Sequence, residues 1–521
     1  MYNRPELSDE DLALLVPHTM GTQHPDNVGR VPFGPSPRVD RNLEEEEVLH
    51  NVTVLGLREL MIDYEKKRGG CTPLWDWLHK CPTCLEERVI GRDFHVTPRL
   101  PNPDTDRDDP YFWQSLGIFS NSLLVMRRLG LPWLAFSEFI LPDVTSGATV
   151  ARVERHIQER FRLDAAQYRA YGDGNDFPFA GDFFVQGIPL IETVEALLEP
   201  ERIWDDLVRA RWELSGVETR VQRSFIARSD PALKAGLVAA LVAATVALHK
   251  GRAYERRTGV RIPQIVGIGS APFRGGLTPD PASIEVVAKT YPGAATLTVQ
   301  SAFRYDHPEH DVRRAAAEIE GRLARGWVAR HRGAPGPDAR ETDVLKRVVA
   351  RLKAAYEDSY RELLPLVTRV APSVPSHRER YENVGVTGEV RRVGGLPAVR
   401  AIKYAASCYT LGLPPGILGF RAWENLSEGE RALVERTCPT LGHWLREELR
   451  LSSPDTVRRL LSREGLSLCS RDLAAATAYA GRVAPDSRHA EACARAAAAV
   501  GDRAALEEAV LEAASLRRFL G

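Results

Sequence analysis

Residues 223–250 read RSFIARSDPALKAGLVAALVAATVALHK. A short apolar run ends in the polar residues Ser229 and Asp230, and an apolar-periodic segment from Asp230 to Lys250 follows it. The run has the length of a buried strand, whereas the longer segment has the spacing of a helix. The stretch therefore predicts one strand followed by one helix, with polar side chains at the point where the strand ends.

Four further apolar runs of this kind lie on either side. They read LPWLAFSEFIL (131–141), DFFVQGIPLIET (182–193), PQIVGIGSAPFRGG (263–276) and ATLTVQSAFRYD (295–306). Helical segments such as 280–290 separate them. Buried strands that alternate with helices are typical of a parallel sheet. Their spacing predicts an α/β fold, a (β/α)8 barrel with many additional helices, which presents its chemistry at the carboxyl ends of the strands.

The rest of the chain divides by composition into four segments. Residues 1–120 read as an irregular N-terminal arm and helices leading into the barrel, with a helix beginning at the glutamates 44–47 and continuing through LEEEEVLHNVTVLGLRELMIDYEKK (43–67). Residues 121–310 hold the core barrel strands and helices. Residues 311–420 hold the remaining barrel or helical segments with a substrate loop, and residues 421–521 form a helical C-terminal region. We expect one compact catalytic unit.

The composition excludes several classes of protein. The 69 Lys and Arg residues balance 70 Asp and Glu residues, and this balance argues against a nucleic-acid partner. No run of 18 apolar residues predicts a membrane span, and the acidic start MYNRPELSDEDLALL is unlike a signal peptide. The seven cysteines are sparse and odd in number, which is typical of a reducing compartment. We therefore expect a cytoplasmic protein with no membrane partner.

Two carboxylates stand at the ends of predicted strands. Glu192 closes the run 182–193, and Asp230 closes the run 223–230. In a barrel, the ends of neighbouring strands converge, and a hard divalent cation such as Mg²⁺ prefers oxygen ligands of this kind. Asp230 is also suited to begin a helix, since Pro231 follows it at a favourable first helical position. Both the metal-binding and the helix-capping interpretations of Asp230 remain open at this point.

The segment 267–276, GIGSAPFRGG, places Arg274 between Phe273 and two glycines. A dinucleotide fingerprint requires glycine where Pro272 stands, so that kind of site is excluded. The segment indicates either a loop that brings a cation over an anion or an exposed turn with a solvated arginine.

Histidine and cysteine residues near the N-terminus offer two further candidates. His24, followed by Pro25 in an irregular arm, has the chemistry of a general acid or base near neutral pH, although a surface or capping histidine is the simpler interpretation. Cys71, His79, Cys81 and Cys84 include a single Cys-x-x-Cys pair. Without a second such pair, ordinary packing is favoured over a zinc site.

An ordered series of motifs resembles the archaeal-type (short) phosphoenolpyruvate carboxylases. The motifs are TQHPDN (22–27), TPRLPNP (97–103), QGIPLIE (186–192), ARSDPAL (227–233), GIGSAPFRGGL (267–277), TVQSAFRYD (298–306) and LPAVRAIKYAASCYTLGLPPGILG (396–419). Each motif alone is weak, but the series in this order is specific. Ile268 departs from the longer branch of the family, which has an arginine at that position.

The resemblance implies an enzyme that joins phosphoenolpyruvate and bicarbonate into oxaloacetate and phosphate, through carboxyphosphate and a metal-stabilised enolate. It also implies a divalent cofactor, Mg²⁺ or Mn²⁺, and a homotetramer. By motif match, the metal ligands are Glu192 and Asp230, the general base is His24, the catalytic cation is Arg274, and the substrate-binding residues are Arg99, Arg391 and Arg400. The choice of Arg391 over Arg392 is open, because residues 384–392 depart from the short branch.

Two alternatives remain at this stage. One is another metal-dependent barrel enzyme that acts on phosphoenolpyruvate or pyruvate enolates and needs no bicarbonate. The other is a non-catalytic homologue whose helical C-terminal region serves as a scaffold. The full set of His24, Glu192, Asp230, Arg274 and Arg400 favours the active carboxylase, because a scaffold has no physical need of these residues.

Overall fold

The computed structural model describes residues 7–40, 43–64, 88–105, 110–131, 134–171, 183–333, 335–378 and 392–521. Eight strands form a closed barrel in chain order: β1 Thr19–Gly21, β2 Glu59–Asp63, β3 His95–Arg99, β4 Glu138–Leu141, β5 Gln186–Ile191, β6 Ser224–Ala227, β7 Gln264–Gly267 and β8 Thr296–Val299. Every neighbouring pair is parallel, and β8 closes on β1 with Thr298 beside Met20. The predicted (β/α)8 barrel is therefore confirmed.

The interior of the barrel is a packed core. Its buried side chains come from alternate positions of several strands and include Met20, Met61, Ile140, Ile188, Leu190, Phe225, Ala227 and Ile265. A second and larger core lies between the strands and the surrounding helices. Because the strands are buried on both faces, β4 to β8 read as short apolar runs rather than as an alternation of apolar and polar residues.

Helices accompany the strands and continue beyond them. Within the first 330 residues they are Asp9–Leu15, Glu44–Thr53, Pro110–Arg128, Gly147–Tyr171, Val194–Leu198, Glu201–Ser215, Ser229–Ala235, Leu237–Thr258, Pro281–Thr290, Ser301–Tyr305 and Glu309–Val328. After them come Ala339–Val370, Ala401–Thr410, Glu428–Thr437, Leu441–Arg450, Pro454–Glu464, Ser467–Ala480, Ser487–Ala498 and Arg503–Arg517. A two-stranded hairpin, β9 Arg392–Val393 and β10 Leu396–Pro397, precedes Arg400. The helical C-terminal region agrees with its prediction.

The prediction for residues 1–120 was incomplete, because β1, β2 and β3 all lie within that segment. The helix expected over 43–67 ends at Thr53, and β2 begins at Glu59. All eight strands precede residue 300, so the described part of 311–420 adds helices and the hairpin to the barrel but contributes no barrel strand. The segment predicted as one helix from Asp230 to Lys250 is interrupted at Gly236, whose φ of 85° is unfavourable for other residues.

A buried arginine holds together the amino-terminal end of the barrel. Arg223 donates to Glu59 at 2.7 and 2.8 Å and to Glu138 at 2.9 Å, and none of these three side chains is more than 4% exposed. Thr97 donates a further hydrogen bond to Glu59. The arrangement joins β2, β4 and the start of β6 at the end of the barrel where the strands begin.

Replacement of Arg223 by alanine is expected to destabilise the fold by about 3–5 kcal/mol, because Glu59 and Glu138 are left buried without their counter-charge. Urea denaturation followed by circular dichroism measures this loss. The matched control is Arg220→Ala, whose ion pair with Glu218 is exposed and whose effect should stay within about 0.5 kcal/mol. Equal stability of the two variants would contradict the role assigned to Arg223.

Among the described helices, none combines the length and the apolar character that a membrane crossing requires.

Candidate active site

The mouth of the barrel, at the carboxyl ends of its strands, holds polar residues that follow several of the strands. His24 follows β1 by three residues, Arg99 ends β3, Glu192 follows β5, Asp230 follows β6 and Arg274 follows β7. The sequence placed His24 in an irregular arm, but β1 precedes it and brings it to the same edge of the barrel as the others. The parallel barrel therefore brings side chains from distant parts of the sequence to one face.

Glu192 and Asp230 lie after neighbouring strands, since Ile191 of β5 pairs with Ile226 of β6. Glu192 is buried, and its Oε2 accepts a hydrogen bond from the main-chain N–H of Asp143 at 2.8 Å. Burial, together with the negative charges of Asp143 and Asp230, raises the pKa of Glu192 well above its usual range. The two carboxylates predicted to converge therefore lie close enough to influence one another.

Asp143 is a third carboxylate at this place, and it was missed from the sequence. It is the second residue after β4 and has a φ of 49°, in the left-handed region that few non-glycine residues adopt. The signal was available, because the apolar run 131–141 was identified as a strand and Asp143 follows that run. The strand-end argument applied to Glu192 and Asp230 leads to Asp143 as well.

These carboxylates are suited to a hard divalent cation. Burial and the charges of Asp143 and Asp230 raise the pKa of Glu192, and a cation between Glu192 and Asp230 would offset those negative charges. Within the described residues no group of three or more His, Cys, Asp and Glu side chains forms a ready-made metal site. A magnesium site built from one or two carboxylates, with water and substrate oxygens as the remaining ligands, needs no such group.

Arg99, the last residue of β3, is held in place by an ion pair with Asp63. Its Nε donates to Oδ1 of Asp63 at 2.5 Å, and both side chains are buried. The positive charge of Arg99 acts on Glu192, where it lowers the pKa against the effect of burial. Asp63, at the end of β2, thus orients an arginine whose positive charge acts on Glu192.

Arg274 is fully buried, unlike the solvated arginine of an exposed turn. Its Nε donates to Ser229 Oγ at 3.0 Å, and its Nη1 donates to Asp26 Oδ2 at 3.2 Å and to the main-chain oxygen of Gly521 at 2.5 Å. Its Nη2 donates to Gln300. Burial lowers the pKa of Arg274, and the charges of Asp26 and Asp230 counteract that effect. Arg274 is thus held rigidly beside the metal-binding candidate Asp230.

The turn that carries Arg274 requires both of its glycines. Gly275 has a φ of 120°, and a Cβ atom there would lie 2.5 Å from Cγ2 of Ile268. Ile268 therefore fills the space beneath the turn at the position where the longer branch of the resembled family has an arginine. The side chain of Ile268 contributes packing, so no second cation comes from that position.

His24 lies in an irregular loop that is fixed at several points. Its Nδ1 lies 2.9 Å from Thr22 Oγ1, and Asp26 Oδ1 accepts from the N–H of Ala302 at 2.8 Å. Asp306 accepts from the N–H groups of Val28 and Gly29. Burial raises the pKa of Asp306 to about 7. The loop is therefore tied to the segment that follows β8.

Arg400 precedes the helix Ala401–Thr410 and is half-buried. The first turns of this helix lie against Gly521, where a Cβ atom would lie 2.2 Å from the oxygen of Ile402. Because Gly521 also contacts Arg274, the helix start lies on the Arg274 side of the mouth. Arg391 lies outside the described residues, as do Cys71, His79, Cys81 and Cys84.

Comparison with known proteins gives a consistent result. The family model described as phosphoenolpyruvate carboxylase matches residues 16–521. Three proteins named phosphoenolpyruvate carboxylase are similar along most of their length. The protein of Methanothermobacter thermautotrophicus is 31% identical over 523 residues, covering 98% of this chain and 100% of its own. The protein of Halobacterium salinarum is 33% identical, and the match covers 97% of this chain and 99% of its own. The protein of Pyrococcus horikoshii is 32% identical, and the match covers 78% of this chain and 82% of its own.

A solved structure with a weaker likeness is the Haloferax volcanii malate synthase magnesium/glyoxylate complex. It aligns with a TM-score of 0.31 and 11% identity over 88% of this chain and 98% of that chain. A likeness at this level does not bear on function.

Proposed function

This chain belongs to the phosphoenolpyruvate carboxylase family, and we propose that its barrel mouth joins phosphoenolpyruvate and bicarbonate into oxaloacetate and phosphate. The observation that carries the proposal is that Asp143, Glu192 and Asp230 follow the neighbouring strands β4, β5 and β6. The N–H of Asp143 donates to Glu192 at 2.8 Å, and Arg274 donates to Ser229, the residue before Asp230, at 3.0 Å. Neither the family model nor the relatives named above favour another barrel enzyme or a scaffold.

Glu192 and Asp230 would hold the divalent cation, Mg²⁺ or Mn²⁺. When bound, the cation supplies a Lewis acid for the negative charge that develops on the enolate oxygen. The two carboxylates fit this purpose because they are close, partly or fully buried, and mutually repelling.

The arginines would bind the anionic substrates. Arg99, Arg391 and Arg400 are assigned to the phosphate and carboxylate groups of phosphoenolpyruvate, which the planar guanidinium group matches well.

In the first chemical step, a bicarbonate oxygen attacks phosphorus and the bond from phosphorus to the enol oxygen breaks. The products of this step are carboxyphosphate and the pyruvate enolate. Arg274 is assigned to the phosphate and the carboxylated intermediate. Direct contact requires Gln300 or the Gly521 oxygen to give up its hydrogen bond.

His24 is assigned the role of general base. It removes the proton from the carboxyl group of carboxyphosphate, whose carbon–oxygen bond to phosphate then breaks to give CO₂ and phosphate. The enolate carbon attacks CO₂, and the new carbon–carbon bond completes oxaloacetate. Thr22, beside Nδ1, would fix the orientation of the imidazole during the proton transfer.

The enzyme is further proposed to act in the cytoplasm as a homotetramer, with the four sequence segments forming one catalytic unit. The cytoplasmic location is supported by four free and buried thiols, Cys408, Cys438, Cys469 and Cys493. The single catalytic unit is supported by the contact of Gly521 with Arg274. Sedimentation velocity of the purified protein tests the tetramer.

The proposed reaction is tested by a coupled assay with malate dehydrogenase. Purified protein with Mg²⁺ or Mn²⁺ is expected to form oxaloacetate only when phosphoenolpyruvate and bicarbonate are both present. Turnover of phosphoenolpyruvate that does not depend on bicarbonate would support the other barrel enzyme instead. Absence of turnover with either metal would support the scaffold.

A further inference from the structure

A buried tyrosine and a buried glutamate stand behind the turn that carries Arg274. The main-chain N–H of Phe273 donates to the hydroxyl of Tyr409 at 3.1 Å, and that hydroxyl donates to Oε1 of Glu448 at 2.7 Å. Oε2 of Glu448 accepts from the N–H of Gly416 at 3.0 Å. This chain of hydrogen bonds begins one residue before Arg274 and ends in the C-terminal helical region.

The helix Leu441–Arg450, which carries Glu448, also touches the turn directly. A Cβ atom at Gly276 would lie 2.2 Å from Cζ3 of Trp444, so the second glycine of the turn rests on that indole ring. Trp444 Nε1 donates to Thr290 Oγ1 at 3.1 Å, which fixes the ring. The helix therefore contacts the turn directly at Gly276 and reaches Phe273 indirectly, through the hydroxyl of Tyr409.

Glu448 accepts hydrogen bonds from Tyr409 and Gly416 and does not form an ion pair within the described residues. Its side chain is fully buried, and no lysine or arginine among the described residues forms a salt bridge with it. Burial raises the pKa of Glu448 to about 8, although hydrogen bonds from Tyr409 and Gly416 and the charge of Arg228 oppose the effect. A buried carboxyl group with no direct counter-charge is costly to keep, so the fold gains little stability from its charge.

We propose that Tyr409 and Glu448 are positioning residues, which hold the Phe273–Arg274 main chain so that the Arg274 guanidinium meets its acceptors at the site. This inference rests on the proposed function of Arg274. The argument is geometric, because Arg274 contacts Ser229, Asp26, Gln300 and Gly521 from four different segments. A displacement of its main chain by 1 Å would disturb all four contacts, and errors of that size cost as much as about 100-fold in rate.

A purely structural role for the pair predicts a different outcome. Loss of stability alone lowers the amount of active enzyme, but it leaves the products of each turnover unchanged. A misplaced Arg274 would instead let carboxyphosphate escape and hydrolyse to phosphate and bicarbonate, while the enolate takes up a proton and leaves as pyruvate. The ratio of phosphate to oxaloacetate therefore separates the two roles, whatever fraction of the enzyme is folded.

The test compares Tyr409→Phe with wild type in the presence of Mg²⁺, phosphoenolpyruvate and bicarbonate. Tyr409→Phe removes the acceptor for Phe273 and the donor to Glu448. We expect kcat for oxaloacetate to fall about 10- to 100-fold, KM for phosphoenolpyruvate to stay within about twofold, and the phosphate-to-oxaloacetate ratio to rise several-fold above one. The control is Tyr479→Phe, which breaks the hydrogen bond from Tyr479 to Glu435 in the same region, and its ratio should stay at one.

Glu448→Gln is the second variant, for use if Tyr409→Phe does not fold. The amide keeps the shape of the side chain but can accept only one of the two hydrogen bonds from Tyr409 and Gly416. A smaller rise in the ratio is expected. A ratio of one in either folded variant would overturn the inference. A wild-type enzyme that forms no oxaloacetate would overturn the proposed function instead.

Discussion

Replacement of Glu192 by alanine is expected to reduce metal-dependent formation of oxaloacetate on the order of 10³-fold or more. The variant loses one of the two carboxylates proposed to hold the cation, so that only Asp230 of that pair remains. It also loses the acceptor for the N–H of Asp143, whose main chain adopts an unusual conformation. Asp230→Ala is expected to have an effect of the same size.

The measurement combines initial rates in the coupled assay with calorimetric titration of Mn²⁺ into the protein without substrate. Weakened Mn²⁺ binding in Glu192→Ala and Asp230→Ala is the result that links the loss of activity to the metal. The matched control is Glu195→Ala, three residues farther along, because Glu195 pairs with Lys353 at a largely exposed position. Normal turnover and normal Mn²⁺ affinity in Glu192→Ala would refute the ligand assignment.

For His24→Asn, the expected result is a separation of the two halves of the reaction. Formation of oxaloacetate should fall about 10²- to 10⁴-fold, the range attributed to general acid–base catalysis, while bicarbonate-dependent phosphate release persists. The reason is that bicarbonate attack on phosphorus does not need the base, whereas carboxyphosphate must lose its proton before it yields CO₂. The released carboxyphosphate then hydrolyses in water.

Phosphate and oxaloacetate are measured in the same reaction mixture, with and without bicarbonate. His310→Asn serves as a control, since its side chain is 79% exposed and lies outside the site. Equal loss of phosphate release and of oxaloacetate would place His24 earlier in the reaction, and it would argue against its assignment as the base.

The sequence predicted the five barrel strands that follow residue 130 but not the first three. β1 has only three residues, Thr19–Gly21, and β3, His95–Arg99, is polar and contains a proline. β2, Glu59–Asp63, continues the helical periodicity of the segment before it. Such strands are too short for periodicity to identify, and they are stabilised by the closure of the barrel rather than by local preference.

The candidate site was partly predictable for a related reason. Glu192 and Asp230 end apolar runs, so their convergence follows from parallel strands alone. The acceptors around Arg274 could not be found in this way, because Asp26 and Gly521 lie 248 and 247 residues away from it in the chain. The same is true of the contact between Phe273 and Tyr409, which joins segments with no common local pattern.

The hydrogen bond from Arg274 to Gly521 has a consequence for biosynthesis. The chain is synthesised from its N-terminus, and all eight barrel strands precede residue 300. One acceptor of the Arg274 guanidinium, the oxygen of Gly521, is synthesised about 220 residues later. A nascent chain that has synthesised all eight strands therefore still lacks one of the hydrogen-bond acceptors of Arg274. The surroundings of Arg274 are therefore completed only when Gly521 has been synthesised, well after the last barrel strand.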